Sequence, residues 1–305
     1  MQQRYPRSIL VSCEVPWDAR EELIDGVFRQ IVRRTLAQGF NDLYIFGTAG
    51  EGYAVDTRRF AQVTRVFHEE TRGASARPMV GVIGLSTANL VERLQMAWEI
   101  GFRVFQISLP SWGPLREPEI LTFFRDVCGS FPEARFLHYN LPRAKRLLTG
   151  REYRKVADAC PNLVATKNTG GGAARAADLM THASDLQHFF SEDNYPHGCQ
   201  YGPCSLLSST GFLFPAKARA IFEAGVAGDL DALYRLQHDF HIMHSDVFAR
   251  FVAQERIDGA YDKMIKRAAL PEMPLRLLSP YQCFSEDEFA DFLRVIDEKY
   301  GEWRA

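Results

Sequence analysis

The sequence predicts an α/β protein, a TIM (β/α)8 barrel with a C-terminal helical extension. Three observations predict it. Short apolar runs alternate with longer amphipathic stretches, which is the pattern of parallel strands joined by helices. Eight such runs fit within about 200 residues, close to the usual barrel size of ~250. The rival, an open doubly wound sheet, wants a glycine-rich dinucleotide turn after its first strand, and Val15–Asp18 offers none.

In chain order, Ile9–Val15 reads as the first strand and Asp18–Gln38 as a helix, with Leu23, Val27, Ile31 and Leu36 close to helical spacing. Asp42–Phe46 is the second strand, ending at Gly47, and Thr57–Thr71 is helical. Met79–Ile83 is the third strand, and Thr87–Ile100 carries Leu90, Leu94 and Ala97 on one helical face. Val104–Leu109 is the fourth strand and Pro118–Cys128 the next helix. Arg135–Tyr139 is the fifth strand, stopped by Asn140 and Pro142, with Glu152–Ala159 helical after it. Leu163–Lys167 is the sixth, followed by a glycine-rich turn and the helix Ala174–His182. Leu186–Phe190 and Gly202–Leu207 complete the set. Ala216–Gly225, Asp229–Phe251, Tyr261–Ala269 and Glu286–Tyr300 are then helical. No Gly/Ser linker separates them from the barrel. The expected organisation is a catalytic barrel over residues 1–225 and a helical extension over 226–305 packed against it.

Composition narrows the function classes. The chain has 305 residues, 46% hydrophobic and 24% charged, enough apolar material for a full core. Its 36 basic and 38 acidic residues leave a net charge of -2, which gives no footing for a nucleic-acid or membrane-surface partner. No run is long enough to span a membrane, and Arg4 and Arg7 are not followed by a signal-type apolar stretch, so a cytoplasmic location is expected. The six cysteines form no C-x-x-C, and Cys199 and Cys204 have no His-x3-His beside them. Buried thiols are expected rather than a zinc site.

In a barrel of this kind chemistry sits at the C-terminal ends of the strands. The second strand ends in Gly47-Thr48-Ala49-Gly50-Glu51-Gly52. This is either a bare tight turn or one whose exposed N–H groups hold a carboxylate. It lacks the G-K-[ST] ending of a phosphate loop. The fifth ends in His138-Tyr139-Asn140-Leu141-Pro142, where Tyr139 is a packing residue or a proton donor and His138 alternates to the outer side. The sixth ends in Lys167 before Asn168-Thr169-Gly170-Gly171-Gly172. Alone, Lys167 has three readings: a lysine reaching to the rim, a phosphate grip, or a desolvated nucleophile. Together the three sites say more. The second and sixth strands face each other across an eight-stranded ring, with the fifth beside the sixth. An anion-holding turn, a phenol and an amine then converge in one volume, which describes a Schiff-base site.

On these motifs, GTAGE at Gly47–Glu51, YNLP at Tyr139–Pro142 and the strand-end Lys167, the chain resembles the dihydrodipicolinate synthase / N-acetylneuraminate lyase family of class I aldolases. The resemblance covers most of the chain. It implies that Lys167 is the Schiff-base lysine, that Tyr139 shuttles protons, and that Thr48 belongs to the proton relay. It implies that the N–H groups of Thr48 and Ala49 hold the carboxylate of a 2-oxo acid such as pyruvate, with Glu51 shaping the turn. It implies no metal and no organic cofactor, and a homotetramer or homodimer. Asp193 aligns with a polyol-contacting aspartate of the sialic-acid lyases, and Ser208 or Ser209 is placed for similar work or for capping a helix.

The departures are equally specific. Ala49 replaces the family's second threonine. Trp112 stands nearest to the second tyrosine of the synthases, and an indole cannot accept that proton; it is expected instead to stack on an apolar aldehyde portion. Ala144 occupies the place of the synthases' substrate-binding arginine, flanked by Arg143 and Lys145. The expectation is a carbon–carbon lyase or aldolase acting beside a pyruvate enamine, and not dihydrodipicolinate synthase proper. A dehydratase of 2-oxo-3-deoxy sugar acids would use the same imine, and a non-catalytic 2-oxo-acid-binding protein would keep the same fold.

Overall fold

A computed structural model describes residues 4–304. Eight parallel strands close into a ring in sequence order: β1 (Ile9–Ser12), β2 (Asp42–Ile45), β3 (Arg77–Val82), β4 (Val104–Ile107), β5 (Arg135–Asn140), β6 (Leu163–Asn168), β7 (Gln187–Ser191) and β8 (Ser205–Ser208). β1 closes on β8 with Leu10 beside Leu207. The helices α1 (Asp25–Ala37), α2 (Thr57–Thr71), α3 (Thr87–Ile100), α4 (Glu117–Gly129), α5 (Gly150–Ala159), α6 (Gly172–His182), α7 (Tyr195–Cys199) and α8 (Pro215–Ala227) alternate with them. Three more follow: α9 (Leu230–Val252), α10 (Asp258–Ala269) and α11 (Glu286–Tyr300). Among the described residues no helix is long and apolar enough to cross a membrane.

The strands are buried on both faces, as parallel strands wrapped by helices must be. Inward-facing Leu10, Tyr44, Met79, Leu137, Ala165 and Phe189 fill the ring's interior. The outward side chains meet the helices in one continuous apolar layer that includes Val80, Phe105, Phe124 and Phe136. His138 does face outward: its Nδ1 lies 2.6 Å from the Tyr153 hydroxyl on α5. The last three helices have an apolar cluster of their own, with Phe240, Val247, Met264 and Phe292. Two buried ion pairs fasten α10 to the barrel. Lys263 meets Glu51 at 2.6 Å, and Lys266 meets Glu14 at 2.9 Å while donating to the Ser12 carbonyl at 2.7 Å.

The sequence expectations differ from the structure mainly at boundaries. The helix expected from Asp18 starts only at Asp25. The Asp18 carboxylate accepts from the N–H groups of Arg20 (2.7 Å) and Glu22 (2.9 Å), and Trp17 bridges to Leu23, so this stretch is a turn. The single-turn helix α7 had no sequence signal strong enough to read. α8 continues past residue 225 to Ala227. α10 begins three residues earlier than Tyr261, at Asp258, and that added turn contributes to the site.

Candidate active site

The turn after β2 is set by backbone geometry. Phe46 and Glu51 both adopt positive φ, 59° and 57°, which costs a non-glycine residue free energy that the surroundings must repay. Glu51 makes those surroundings. One carboxylate oxygen accepts from the Trp17 indole at 2.9 Å and from the Lys263 ammonium at 2.6 Å; the other accepts from the Leu278 N–H at 2.7 Å. Gly47 is required for space: a Cβ there would sit 2.6 Å from the Tyr44 ring and 3.5 Å from Lys167 Nζ.

Lys167 points into the barrel mouth from β6, beside Tyr139 on β5 in the strand register. Only 3% of it is exposed. Its Nζ donates to the Tyr44 hydroxyl at 2.8 Å and lies 3.9 Å from the centre of the Tyr139 ring. It makes no ion pair among the described residues. Burial lowers its ammonium pKa from 10.5 to about 7, against the opposing pull of Asp262 and Asp258. A neutral amine is therefore accessible at neutral pH, which a nucleophile needs. The Tyr139 hydroxyl is pushed up to about 12 by burial; the side chains of Thr48 and Thr169, within hydrogen-bonding reach, pull the other way. Its phenol is thus held protonated, able to give and regain one proton. Tyr44 is raised as well, by burial, and Ser12, which lines the same cavity, donates its hydroxyl to Glu14.

These groups share a cavity of about 200 Å³. Lys167, Tyr44, Tyr139, Thr48 and Ala49 line it, as do Glu192, Asp193, Ser209, Asp258 and Asp262. An adjoining space of about 260 Å³ shares Ser209, His244, Asp258 and Asp262. A larger hollow of about 440 Å³ lies at the other end of the barrel, beside Ser8, Asp42 and Arg77. Its Arg77 is bound to buried Asp42, and no lysine, cysteine or histidine lines it, so size does not mark the reactive end.

Of the residues singled out from sequence, Lys167, Tyr139, Thr48, Ala49, Asp193 and Ser209 all line the cavity. Trp112 does not. It is 82% exposed, on a loop that turns outward after β4, and its carbonyl accepts from Lys145 at 2.9 Å. Stacking of Trp112 on a bound aldehyde is therefore not available within this chain. Ala144 is buried and also outside the cavity, while Arg143 grips Asp258 through two bonds of 2.8 and 2.9 Å. Asp193 pairs with His241 at 2.6 Å. The Ser209 N–H donates to buried Glu192 at 2.8 Å and its hydroxyl lies 3.3 Å from both Glu192 oxygens. Burial raises the Glu192 carboxyl above its ordinary value.

Tyr44, Thr169, Glu192, Asp258 and Asp262 were not picked out from sequence. Tyr44 carried a usable signal: on a strand ending at Gly47, alternation puts Leu43 and Ile45 on one face and Tyr44 on the other. Asp258 and Asp262 are one helical turn apart, but nothing local places α10 over the barrel mouth.

Comparison with known proteins agrees with this geometry. The sequence model of the dihydrodipicolinate synthetase family matches residues 5–278. A 4-hydroxy-tetrahydrodipicolinate synthase of Exiguobacterium sibiricum is 24% identical over 263 residues, 85% of this chain and 88% of that one. An N-acetylneuraminate lyase of Shigella boydii is 22% identical over 233 residues, 76% of this chain and 78% of that one. Among solved structures, YagE of E. coli, crystallised in complex with pyruvate, superposes with a TM-score of 0.83 at 15% identity, covering 96% of this chain and 98% of that chain. That likeness speaks to the fold. The family match speaks to descent and supports a Schiff-base lyase or aldolase at the level of the family. Spanning the whole barrel and the helix that packs over its mouth, it means that this chain belongs to the dihydrodipicolinate synthetase family.

Proposed function

We propose that the protein is a class I lyase or aldolase that makes or breaks a carbon–carbon bond of a 2-oxo acid through an imine on Lys167. The observation that carries this reading is the state of Lys167: buried at the strand end, without an ion-pair partner, and bonded to a phenol. The free amine attacks the keto carbon of the 2-oxo acid. Tyr139, with Thr48 and Thr169 beside it, moves a proton from the attacking nitrogen to the keto oxygen as the carbinolamine forms. The N–H groups of Thr48 and Ala49 hold the substrate carboxylate. In the cleavage direction the iminium takes up the electron pair of the C3–C4 bond as the C4 hydroxyl loses its proton. An aldehyde leaves, and the enamine is protonated at C3 and hydrolysed from the lysine.

YagE's complex with pyruvate makes pyruvate the first 2-oxo acid to try. Asp193 and Ser209 would meet the rest of the substrate. The absence of Arg143 and Lys145 from the cavity wall speaks against a second carboxylate there, and so against dihydrodipicolinate synthase proper. A homotetramer or homodimer without a cofactor completes the proposal. The test is intact-mass measurement after incubation with pyruvate and borohydride, followed by peptide mapping. A reduced pyruvyl adduct on Lys167 is expected. No adduct with pyruvate or with a panel of longer 2-oxo acids would leave a barrel that binds without reacting.

A further inference from the structure

Four carboxyl groups line the Lys167 cavity, and three of them are held. Glu192 takes bonds from the side chain of Ser208 and from Ser209, Asp193 pairs with His241, and Asp258 is gripped by Arg143. The fourth, Asp262, lines both the cavity and the space adjoining it, with no hydrogen bond or ion pair among the described residues. Asp262 is half-buried, and a carboxyl on such a cavity wall with no donor beside it favours its protonated form or a nearby cation. Two cation-forming side chains line the same cavity among the described residues, His244 on α9 and Lys167 at the end of β6, and Lys167 makes no ion pair there.

We infer that Asp262 supplies the proton that drives water off the carbinolamine on Lys167, and then stands as the carboxylate counter-ion of the iminium. This rests on the Schiff-base reading above and adds a residue to it. The step balances. Neutral Lys167 and the 2-oxo acid form the carbinolamine. Protonated Asp262 gives its proton to the hydroxyl, the C–O bond breaks, water leaves, and the nitrogen lone pair forms the C=N⁺ bond. The products are iminium, water and the Asp262 carboxylate. Hydrolysis runs the same path backwards, with Asp262 taking a proton from the attacking water.

The electrostatics agree. Burial, with Asp258 and Glu192 nearby, pushes the Asp262 carboxyl up to about 8, while Lys167 pulls it down. Lys167 itself sits at about 7. Both shifts run toward the neutral forms, free amine and free acid, which are the forms that imine formation consumes. The groups facing Asp262 are Tyr44 on β2, Lys167 on β6, Glu192 after β7, His244 on α9 and Asp258 on α10 itself.

The experiment compares the full chain with Asp262→Asn and Asp262→Glu, trapping pyruvate on Lys167 with cyanoborohydride from pH 5 to 10. Asp262→Asn is expected to slow trapping at pH 7 by about 100-fold, the usual scale for loss of a positioned acid, and to remove the fall in rate above pH 8. Asp262→Glu should restore part of the rate. Equal rates and equal pH profiles for parent and Asp262→Asn would overturn the inference while leaving the imine on Lys167 intact. A parent that traps no 2-oxo acid at all would overturn the Schiff-base reading, and this inference with it. A second readout needs no variant. Infrared difference spectra of the parent with ¹³C-labelled aspartate carboxyls should lose a protonated-carboxyl band when pyruvate binds at pH 7. An unchanged band would overturn the role of Asp262 even if Asp262→Asn fails to fold.

Discussion

Lys167 should become nucleophilic around neutral pH, some three pH units earlier than an ordinary lysine. The perturbation is pH alone. Burial shifts the amine from 10.5 to about 7, with the Tyr44 hydroxyl and two aromatic rings as its neighbours in place of a carboxylate. At pH 7 about half of the side chains would then be free amine, against about 0.03% for a lysine titrating at 10.5, a gain of roughly 1,500-fold in nucleophile. The assay is competitive labelling with trace acetic anhydride between pH 5 and 10, with Nα-acetyl-lysine amide in the same tube as reference. Peptide mapping gives the ratio at Lys167. That ratio should be highest and flat below pH 6, halve near pH 7, and then fall about tenfold per pH unit toward pH 10 as the reference catches up. The same shift has a stability sign. The unfolded chain binds the extra proton between about pH 7 and 10.5, so this lysine's contribution to stability improves as pH rises through that window and is least favourable below it. A labelling midpoint above pH 9 would refute the reasoning, because burial would then have failed to free the amine.

Two further outcomes follow from the geometry. Tyr139→Phe should slow turnover by about 100-fold or more with the melting temperature unchanged within a degree or two, since the ring's packing survives and only the hydroxyl is lost; an unchanged rate would reduce Tyr139 to a packing residue. Glu51→Ala should destabilise the protein by about 3–5 kcal/mol, because it strands the fully buried Lys263 and the Leu278 N–H, and should lower the melting temperature by roughly 6–10 °C. Calorimetry showing less than about 2 °C of change would mean that the turn is held by other contacts.

The barrel was legible because its signals are local. Each strand is a short apolar run, and each helix keeps its apolar face at helical spacing. The strand-end positions of Lys167, Tyr139 and Thr48 then follow from topology, since sequential closure puts β2 across the ring from β6. What was not legible depended on long-range placement. Asp262 reads as one more polar residue of an amphipathic helix, and its chemical setting arises only because Lys263 and Lys266 anchor α10 above the mouth. Trp112 lies elsewhere than expected for the opposite reason. Its spacing after β4 matched a family position, but the loop carries the indole away from the cavity of its own chain. Glu192 and Asp193 are adjacent in sequence, yet one is buried under Ser208 and Ser209 and the other bonds an exposed histidine, a split that sequence spacing does not reveal.

The ion pairs on α10 also set an order of assembly. Glu14 and Glu51 lie in the first sixth of the chain, while the lysines that neutralise them are Lys266 and Lys263. The last strand of the ring ends at Ser208, more than fifty residues before those lysines. Until the lysines arrive, two carboxylates beneath the barrel mouth have no cation to meet, and water must solvate them. Docking of α10 and neutralisation of the two carboxylates are thus one event, and the wall that Asp258 and Asp262 give the Lys167 cavity comes with it.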